Sequence, residues 1–297
     1  MMELVFLGTS SMVPTKERNH TSLLVRCKTY DVLIDCGEGT QRQLKIKKIS
    51  PTRIRKILIS HWHGDHTLGL AGLIQTLGMS NYEGVLEIYG PKGTKRSIKA
   101  LHDAFYFEER IQLKVIECKE GEIFEDENLK IECAELEHNV PCLGFTVTEQ
   151  DKRRMNLPVV KKLGLPDGPL LGKLQQGKSI VWKGKKILPS QVTYVVKGKK
   201  LAYIVDTLLC DNCFKLAKDA DLLVCEATFK SELEEKGTDS KHMTAKQAAQ
   251  IANQANVEKL VLTHFSQRYK SVIELEDDAK DLFHNTISAH DFMQIKI

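Results

Sequence analysis

The stretch ISHWHGDHTLGL, Ile59–Leu70, sets His61, His63, Asp65 and His66 within six positions, directly after an apolar run. Ile57–Ser60 reads as a buried strand, so the donors turn out of its end toward a helix that starts near Thr67. Imidazole and carboxylate are the groups that suit zinc, with manganese or iron also served. A single histidine is ordinarily structural, but packing does not explain four donors in so short a stretch. Gly64 reads as the residue that lets the turn fold tightly. Further donors follow other strand-like runs: His138 after IECAEL, Asp206 after LAYIV and His264 after KLVLT. With one carboxylate shared, this set serves two ions and leaves positions for water, as phosphodiester hydrolysis requires.

The rest of the chain supplies a frame for such a site. Short runs rich in β-branched residues, among them ELVFLG, SLLVRC, DVLIDC, VLEIYG, LKIECAEL, GFTVTE, LAYIV and DLLVC, alternate with helical patterns. Helices are predicted after Glu38, His66, Thr94, Asp211 and Thr244, where Thr244 offers an N-cap. The plan is strand-rich α/β in two halves. At 297 residues, 42% hydrophobic and 28% charged, the chain can bury a sizeable core, which excludes global disorder. No apolar run approaches the roughly 20 residues that cross a bilayer. The start, MMELVFLGTS, lacks a basic region and a long apolar segment, so the expectation is a cytoplasmic protein without membrane contact. The eight scattered cysteines read as reduced thiols, and the lone CxxC of Cys210 and Cys213 as a structural pair.

Between Asp151 and Lys200 the composition changes. That window holds 13 Lys and Arg against two Asp and Glu, whereas the whole chain holds 43 against 39. A basic insertion therefore rides on a mildly acidic body. It includes LGLPDGPLLGKLQQG and VWKGKKIL, where Trp182 sits among lysines. Concentrated positive charge suits a polyanion, because phosphate contacts release counterions. A solvated basic loop is the plain alternative.

HWHGDH resembles the HxHxDH signature of the metallo-β-lactamase superfamily, and other motifs resemble the ribonuclease Z family within it. Pro14, Lys16, Arg18 and Asn19 match that family's PxKxRN loop. LPDGPLLGKL, with Gly168 and Pro169, is similar to the glycine-proline motif of its flexible arm. CEATF, KHMTAKQAA and LTHFSQRY resemble its HEAT, HST and last-ligand segments, with Cys225 and Met243 as departures. The resemblance implies a four-layer αβ/βα sandwich over residues 1–297, with a protruding arm inserted at about 150–195.

It also implies roles. His61, His63 and His138 would hold one zinc, and Asp65, His66 and His264 the other, with Asp206 bridging. Two zinc ions per subunit are expected, with manganese as a substitute. Asp65 would orient the attacking water, and His242, supported by Glu226, would protonate the leaving oxygen. Pro14, Lys16, Arg18, Asn19, Gly168 and Pro169 would contact precursor tRNA, whose 3′ trailer is cut to leave a 3′ hydroxyl and a trailer 5′ phosphate. A homodimer is implied by resemblance alone. Asp35, Gly37 and Glu38, after another strand, read as support for the ligands. Two other classes stay open at this stage: a different hydrolase of the same superfamily, which would not need the basic arm, and a non-catalytic RNA-binding protein, against which the full donor set argues.

Overall fold

Alternation along the strands sends successive side chains to opposite faces, and that sorting builds the layers. In Ser22–Arg26, Leu23 and Val25 join one apolar cluster while Leu24 joins another. In Lys200–Ile204, Leu201 and Tyr203 face one way and Ala202 and Ile204 the other. Each sheet thus has two apolar faces and must be covered on both.

The computed structural model describes residues 2–106 and 110–297. It divides into two compact units, residues 1–148 with 199–297, and residues 149–198. The strands are β1 (Glu3–Gly8), β2 (Ser22–Arg26), β3 (Asp31–Ile34), β4 (Ile54–Leu58), β5 (Val85–Gly90), β6 (Gln112–Glu117), β7 (Gly121–Glu125), β8 (Leu129–Leu136) and β9 (Cys142–Glu149). After these come β10 (Lys152–Met155), β11 (Ile180–Trp182), β12 (Lys185–Ile187), β13 (Thr193–Val196), β14 (Lys200–Ile204), β15 (Leu222–Glu226), β16 (Leu260–Thr263), β17 (Thr286–Ser288) and β18 (Gln294–Lys296).

The larger unit holds two seven-stranded sheets, ordered β18-β1-β2-β3-β4-β5-β6 and β17-β16-β15-β14-β9-β8-β7. Strands β3 to β6 run parallel, as do β14 to β17, so each set opens its carboxyl ends on one edge. Phe6, Val25, Ile34, Phe145, Tyr203 and Val224 fill the core between the sheets. Helices Thr40–Ile46, Leu70–Gly78 and Thr94–Ala104 cover the outer face of the first sheet through Leu44, Leu73, Leu77 and Ile98. Helices Asp211–Ala217, Ala245–Gln254 and Ile273–Lys280 cover the second through Leu216, Ala249, Ile251 and Leu275. This is a four-layer α/β sandwich. The Thr244 hydroxyl accepts from Gln247 N while the Gln247 side chain accepts from Thr244 N, a reciprocal cap.

The smaller unit has its own core of Val160, Leu165, Leu174, Ile180, Ile187 and Val192. β10 pairs with β13, and β11 with β12. The β11–β12 turn uses Lys183 and Gly184 at φ of 50° and 74°, the sense of a two-residue hairpin turn. Where the sequence reads as Gly/Pro punctuation, Pro169 begins the helix Pro169–Gln175, since a first-turn residue needs no N–H partner. Most of its basic side chains, including Arg154, Lys161, Lys162, Lys173, Lys178, Lys185 and Lys186, stay exposed.

Phe145 is fully buried between the sheets. Truncation by Phe145→Ala should cost about 3–5 kcal/mol, read as a lower urea midpoint with an unchanged slope. A shift below about 1 kcal/mol would mean that this inter-sheet core is looser than its burial indicates.

Candidate metal centre

All the expected donors leave the carboxyl ends of strands or the turns just beyond them. His61 and His63 follow β4, Asp65 and His66 sit in the turn of helix Gly64–Thr67, and His138 follows β8. Asp206 follows β14, Glu226 ends β15 and His264 follows β16. The helical turn begins at Gly64 and not near Thr67, which corrects the expected start by one turn. Gly64 itself needs no special backbone: an added Cβ would meet only the tip of Leu68. The tight approach lies at Gly37 and Gly69, where a Cβ would come within 2.4 Å of Asp65 O and 2.1 Å of Gly37 O.

Besides a group of Glu226, His242 and His264, the expected ligands form two groups, each with its atoms within 4.8 Å of one another: His61, His63, His138 and Asp206, and Asp65, His66, Asp206 and His264. Asp206 belongs to both and divides its oxygens between them. Oδ2 lies 3.6 Å from His61 Nε2 and 3.9 Å from His138 Nε2. Oδ1 lies 3.4 Å from His66 Nε2 and 3.1 Å from His264 Nε2. Asp65 Oδ2 lies 3.4 Å and 3.5 Å from the same two nitrogens.

Four of the five imidazoles are aimed by a partner on the far nitrogen, which fixes the ring and leaves the near nitrogen for a ligand. Nδ1 of His66 meets Asp35 Oδ2 at 2.8 Å, and Nδ1 of His61 meets Ser60 Oγ at 3.0 Å. Nδ1 of His138 meets Lys241 O at 3.1 Å, and Nδ1 of His264 meets Thr228 Oγ1 at 3.0 Å. His63 differs, turning its Nδ1 inward, 3.3 Å from His138 Nε2. Asp35 also accepts from Ser60 N, Ser60 Oγ and Tyr203 OH, so it anchors one wall of the site.

Asp35, Asp206 and His264 all adopt left-handed backbone, at φ of 57°, 52° and 59°. Each stands just past a strand end, and the reversal swings its side chain into the site. Such conformations cost on the order of 1–3 kcal/mol apiece and persist only where the surroundings enforce them.

Burial pushes His61 well below its ordinary value, and the charge of His66 adds to this against the pull of Asp206. Burial likewise lowers His138. Burial opposes the charge on Asp206, but His264, His66 and His61 overcome it and keep the carboxylate ionised. His66 is also penalised by burial, yet Asp206 and Asp35 raise it well above the ordinary range. A divalent cation requires neutral imidazoles beside ionised carboxylates: His61 and His138 meet this as they stand, and at His66 a cation would take the place of the proton that Asp206 and Asp35 hold there. His61 Nε2 and Asp206 Oδ1 are buried without a hydrogen-bond partner, a cost that a cation would remove. The residues therefore fit a metal pair.

Beside the pair, His242 Nδ1 bonds Glu226 Oε2 at 3.0 Å, and Glu226 Oε1 accepts from Thr207 N at 2.8 Å. Thr228 Oγ1 donates to Glu226 Oε2 at 2.6 Å. His63, Asp65, His138, Asp206 and His242 line one cleft of about 320 Å³, with Met12, Asn139, Phe229 and Ser266 at its walls. The PxKxRN residues divide. Pro14 and Lys16 are exposed, but Arg18 is buried, with its guanidinium donating to Tyr269 O and Ser266 O. Asn19 donates to Glu38 O and, through its backbone, to Asp291 Oδ2. Arg18 and Asn19 thus brace the loop from within. Gly168 and Pro169 are exposed in the smaller unit. Ser60, Tyr203 and Thr207 were not anticipated; their only sequence signal is adjacency to donors or to a strand end.

A model of the beta-lactamase superfamily domain matches residues 182–265, and one of the anti-Pycsar protein Apyc1 matches residues 2–153. Ribonuclease Z of Archaeoglobus fulgidus is 39% identical over 302 residues, covering 100% of this chain and 98% of the relative. Ribonuclease Z of Methanothermobacter thermautotrophicus is 39% identical over 298 residues, covering 100% and 97%. The chain belongs to the ribonuclease Z family. Members of that family in the solved structures include human tRNase Z, short form, at 29% identity and a TM-score of 0.73 over 99% of each chain. YhfI of Bacillus subtilis shares the metallo-β-lactamase fold at 19% identity and a TM-score of 0.72, over 99% of this chain and 98% of that one. With ribonuclease Z membership and the donor groups together, the protein is a metal-dependent nuclease.

Asp35 is not itself among the expected metal ligands but orients His66. Asp35→Asn should retain the fold and weaken metal retention by about 10–100-fold, measured by competition with a chelating dye. Equal retention in both proteins would show that His66 is aimed by something else.

Proposed function

We propose that the chain is an endoribonuclease that removes the 3′ trailer of precursor tRNA with two zinc ions, manganese being able to substitute. The observation that carries this reading is the division of Asp206 between two donor groups beside a cleft that also holds His242. His61, His63 and His138 would hold one ion and Asp65, His66 and His264 the other, with Asp206 between them. When bound, the metal pair supplies Lewis acidity toward the scissile phosphate and lowers the pKa of water at neutral pH.

The chain's own residues supply the rest. Burial works against the charge of Asp65, but His264 and His66 hold it well below the usual carboxylate range. Its carboxylate is therefore free to accept a hydrogen bond from the attacking water and fix the line of approach. Burial penalises the His242 cation, yet Glu226 and Asp206 hold it up at about 9. At neutral pH it carries a proton on the nitrogen not tied to Glu226, ready for the departing ribose 3′ oxygen. The products are a tRNA 3′ hydroxyl and a trailer 5′ phosphate.

The exposed lysines and arginines of residues 149–198 suit the tRNA phosphates, with Pro14, Lys16, Gly168 and Pro169 as further contacts and Arg18 and Asn19 holding the loop that carries Pro14 and Lys16. Among the described residues no helix is long and apolar enough to cross a membrane. The family resemblance supports a homodimer acting in the cytoplasm. The test is incubation with a trailer-bearing precursor, with and without a chelator, mapping both product ends. An uncut precursor with metal present would overturn the reading.

Two variant sets separate the roles. Deleting the basic insertion should weaken precursor binding and flatten its salt dependence while sparing a small phosphodiester. Asp65→Ala should abolish cleavage and leave tRNA affinity nearly intact; normal cleavage by that variant would remove Asp65 from the mechanism. In the wild type, cleavage should fall as pH rises through about 9, where His242 loses its proton. Glu226→Gln removes the main charge that raises His242, so this alkaline limb should move to lower pH. An unmoved limb would assign it to another group.

A further inference from the structure

The metal centre makes no use of Cys210 and Cys213. Their Sγ atoms lie 3.5 Å apart, and Cys210 lines a cleft of about 600 Å³ together with Glu135, Glu137, Asp211 and Lys215. Cys210 is half-buried and Cys213 is fully buried. Among the described residues no further donor joins the two sulfurs to make a three-donor metal group. What the pair can do is form a bond to itself. That bond needs an S–S distance of about 2.05 Å, so the sulfurs must close by roughly 1.5 Å.

The closure would be felt at the metal centre. The backbone from Asp206 to Cys210 is stitched to the residues that aim the ligands. Thr207 N donates to Glu226 Oε1, and Thr207 Oγ1 accepts from the N–H of Glu137, the neighbour of His138, at 3.0 Å. Leu208 N donates to Glu137 O at 2.9 Å, and Cys213 Sγ contacts Leu208 O at 3.8 Å.

We propose that Cys210 and Cys213 are a redox-active dithiol, oxidised by a small cationic disulfide, and that their disulfide strains the segment after Asp206 and slows cleavage. The half-buried Cys210 thiolate attacks one sulfur of the small disulfide. A mixed disulfide forms at Cys210, and one small thiolate leaves and takes up a proton. Cys213 then loses its proton and attacks Cys210 Sγ, expelling the second small thiol. The protein gives up two hydrogens, and the small disulfide is reduced to two thiols. The hydrogen bond from Cys213 holds Cys210 down at about 6 against burial, which favours Cys210 as the first nucleophile. Three carboxylates against one ammonium around the cleft favour a cationic reagent over an anionic one.

The effect on cleavage rests on the tRNA reading above; the thiol chemistry does not. The test treats the metal-loaded full chain with cystamine, traps remaining thiols by alkylation and maps the cysteines by mass spectrometry. The expected product is a Cys210–Cys213 disulfide, formed faster with cystamine than with oxidised glutathione at low salt. Metal should then pass to a chelator faster, and cleavage should fall by about tenfold or more, since small displacements near a reacting centre are costly. A reducing dithiol should restore both. Cys213→Ser should accumulate the cystamine adduct on Cys210, and Cys210→Ser should form none at either position. A disulfide at Cys118 and Cys133 instead, or a Cys210–Cys213 disulfide with unaltered metal release, overturns the proposal. Failure of the reduced protein to cut precursor tRNA would strike the tRNA reading alone, with mapping and metal release still deciding the dithiol.

Discussion

The structure turns on one shared carboxylate. Asp206 is buried among His61, His66, His138 and His264, and its two oxygens face different pairs of them. An ionised group so placed is tolerated only if cations or hydrogen-bond donors surround it. The five imidazoles of the site, the partners on the far nitrogens of four of them and the left-handed turns at strand ends all answer that requirement. Asp35, Ser60, Thr228 and the Lys241 carbonyl act on the rings at one remove, which makes the geometry a property of the two sheet edges and not of any single loop.

Much of this was legible in the sequence, because the donors sit where strand patterns end. Runs such as ELVFLG, LKIECAEL and VLEIYG are strands as read, and the donors that follow β4, β8, β14 and β16 meet at one place. What alternation could not reveal is which strands share a sheet, since pairings such as β3 with β4 or β14 with β15 depend on crossovers. The short strands β7, β17 and β18 carry too few apolar residues to stand out. The role of Gly64 was misplaced because adjacency to the histidines suggested it, whereas the close backbone approach involves Gly37 and Gly69, brought together only by the fold. Arg18 shows the same limit: a charged residue in a loop motif reads as exposed, yet its guanidinium is buried against the Tyr269 carbonyl.

The basic insertion is inexpensive for the larger unit to carry. It leaves from the end of β9 and returns at the start of β14, where Thr148 and Lys200 already face each other as paired residues. The pairing closes the loop whatever its length, and longer loops add little further entropy cost. The segment packs its own apolar cluster, so its charge can vary without disturbing the core between the sheets.

The wide separation of the donors along the chain constrains how the protein comes to be. The first, His61, and the last, His264, stand on different sheets, and each of the two expected ligand groups combines residues from both. A nascent chain exposing the HWHGDH segment has no complete group to offer a metal until β14 and Asp206 have been made and docked, and the second group waits for His264 beyond β16. Metal therefore cannot nucleate folding here as it does in a small zinc finger; it arrives at a frame that the apolar layers have already assembled, and the ribosome must pass Asp206 before the first group can close and His264 before the second.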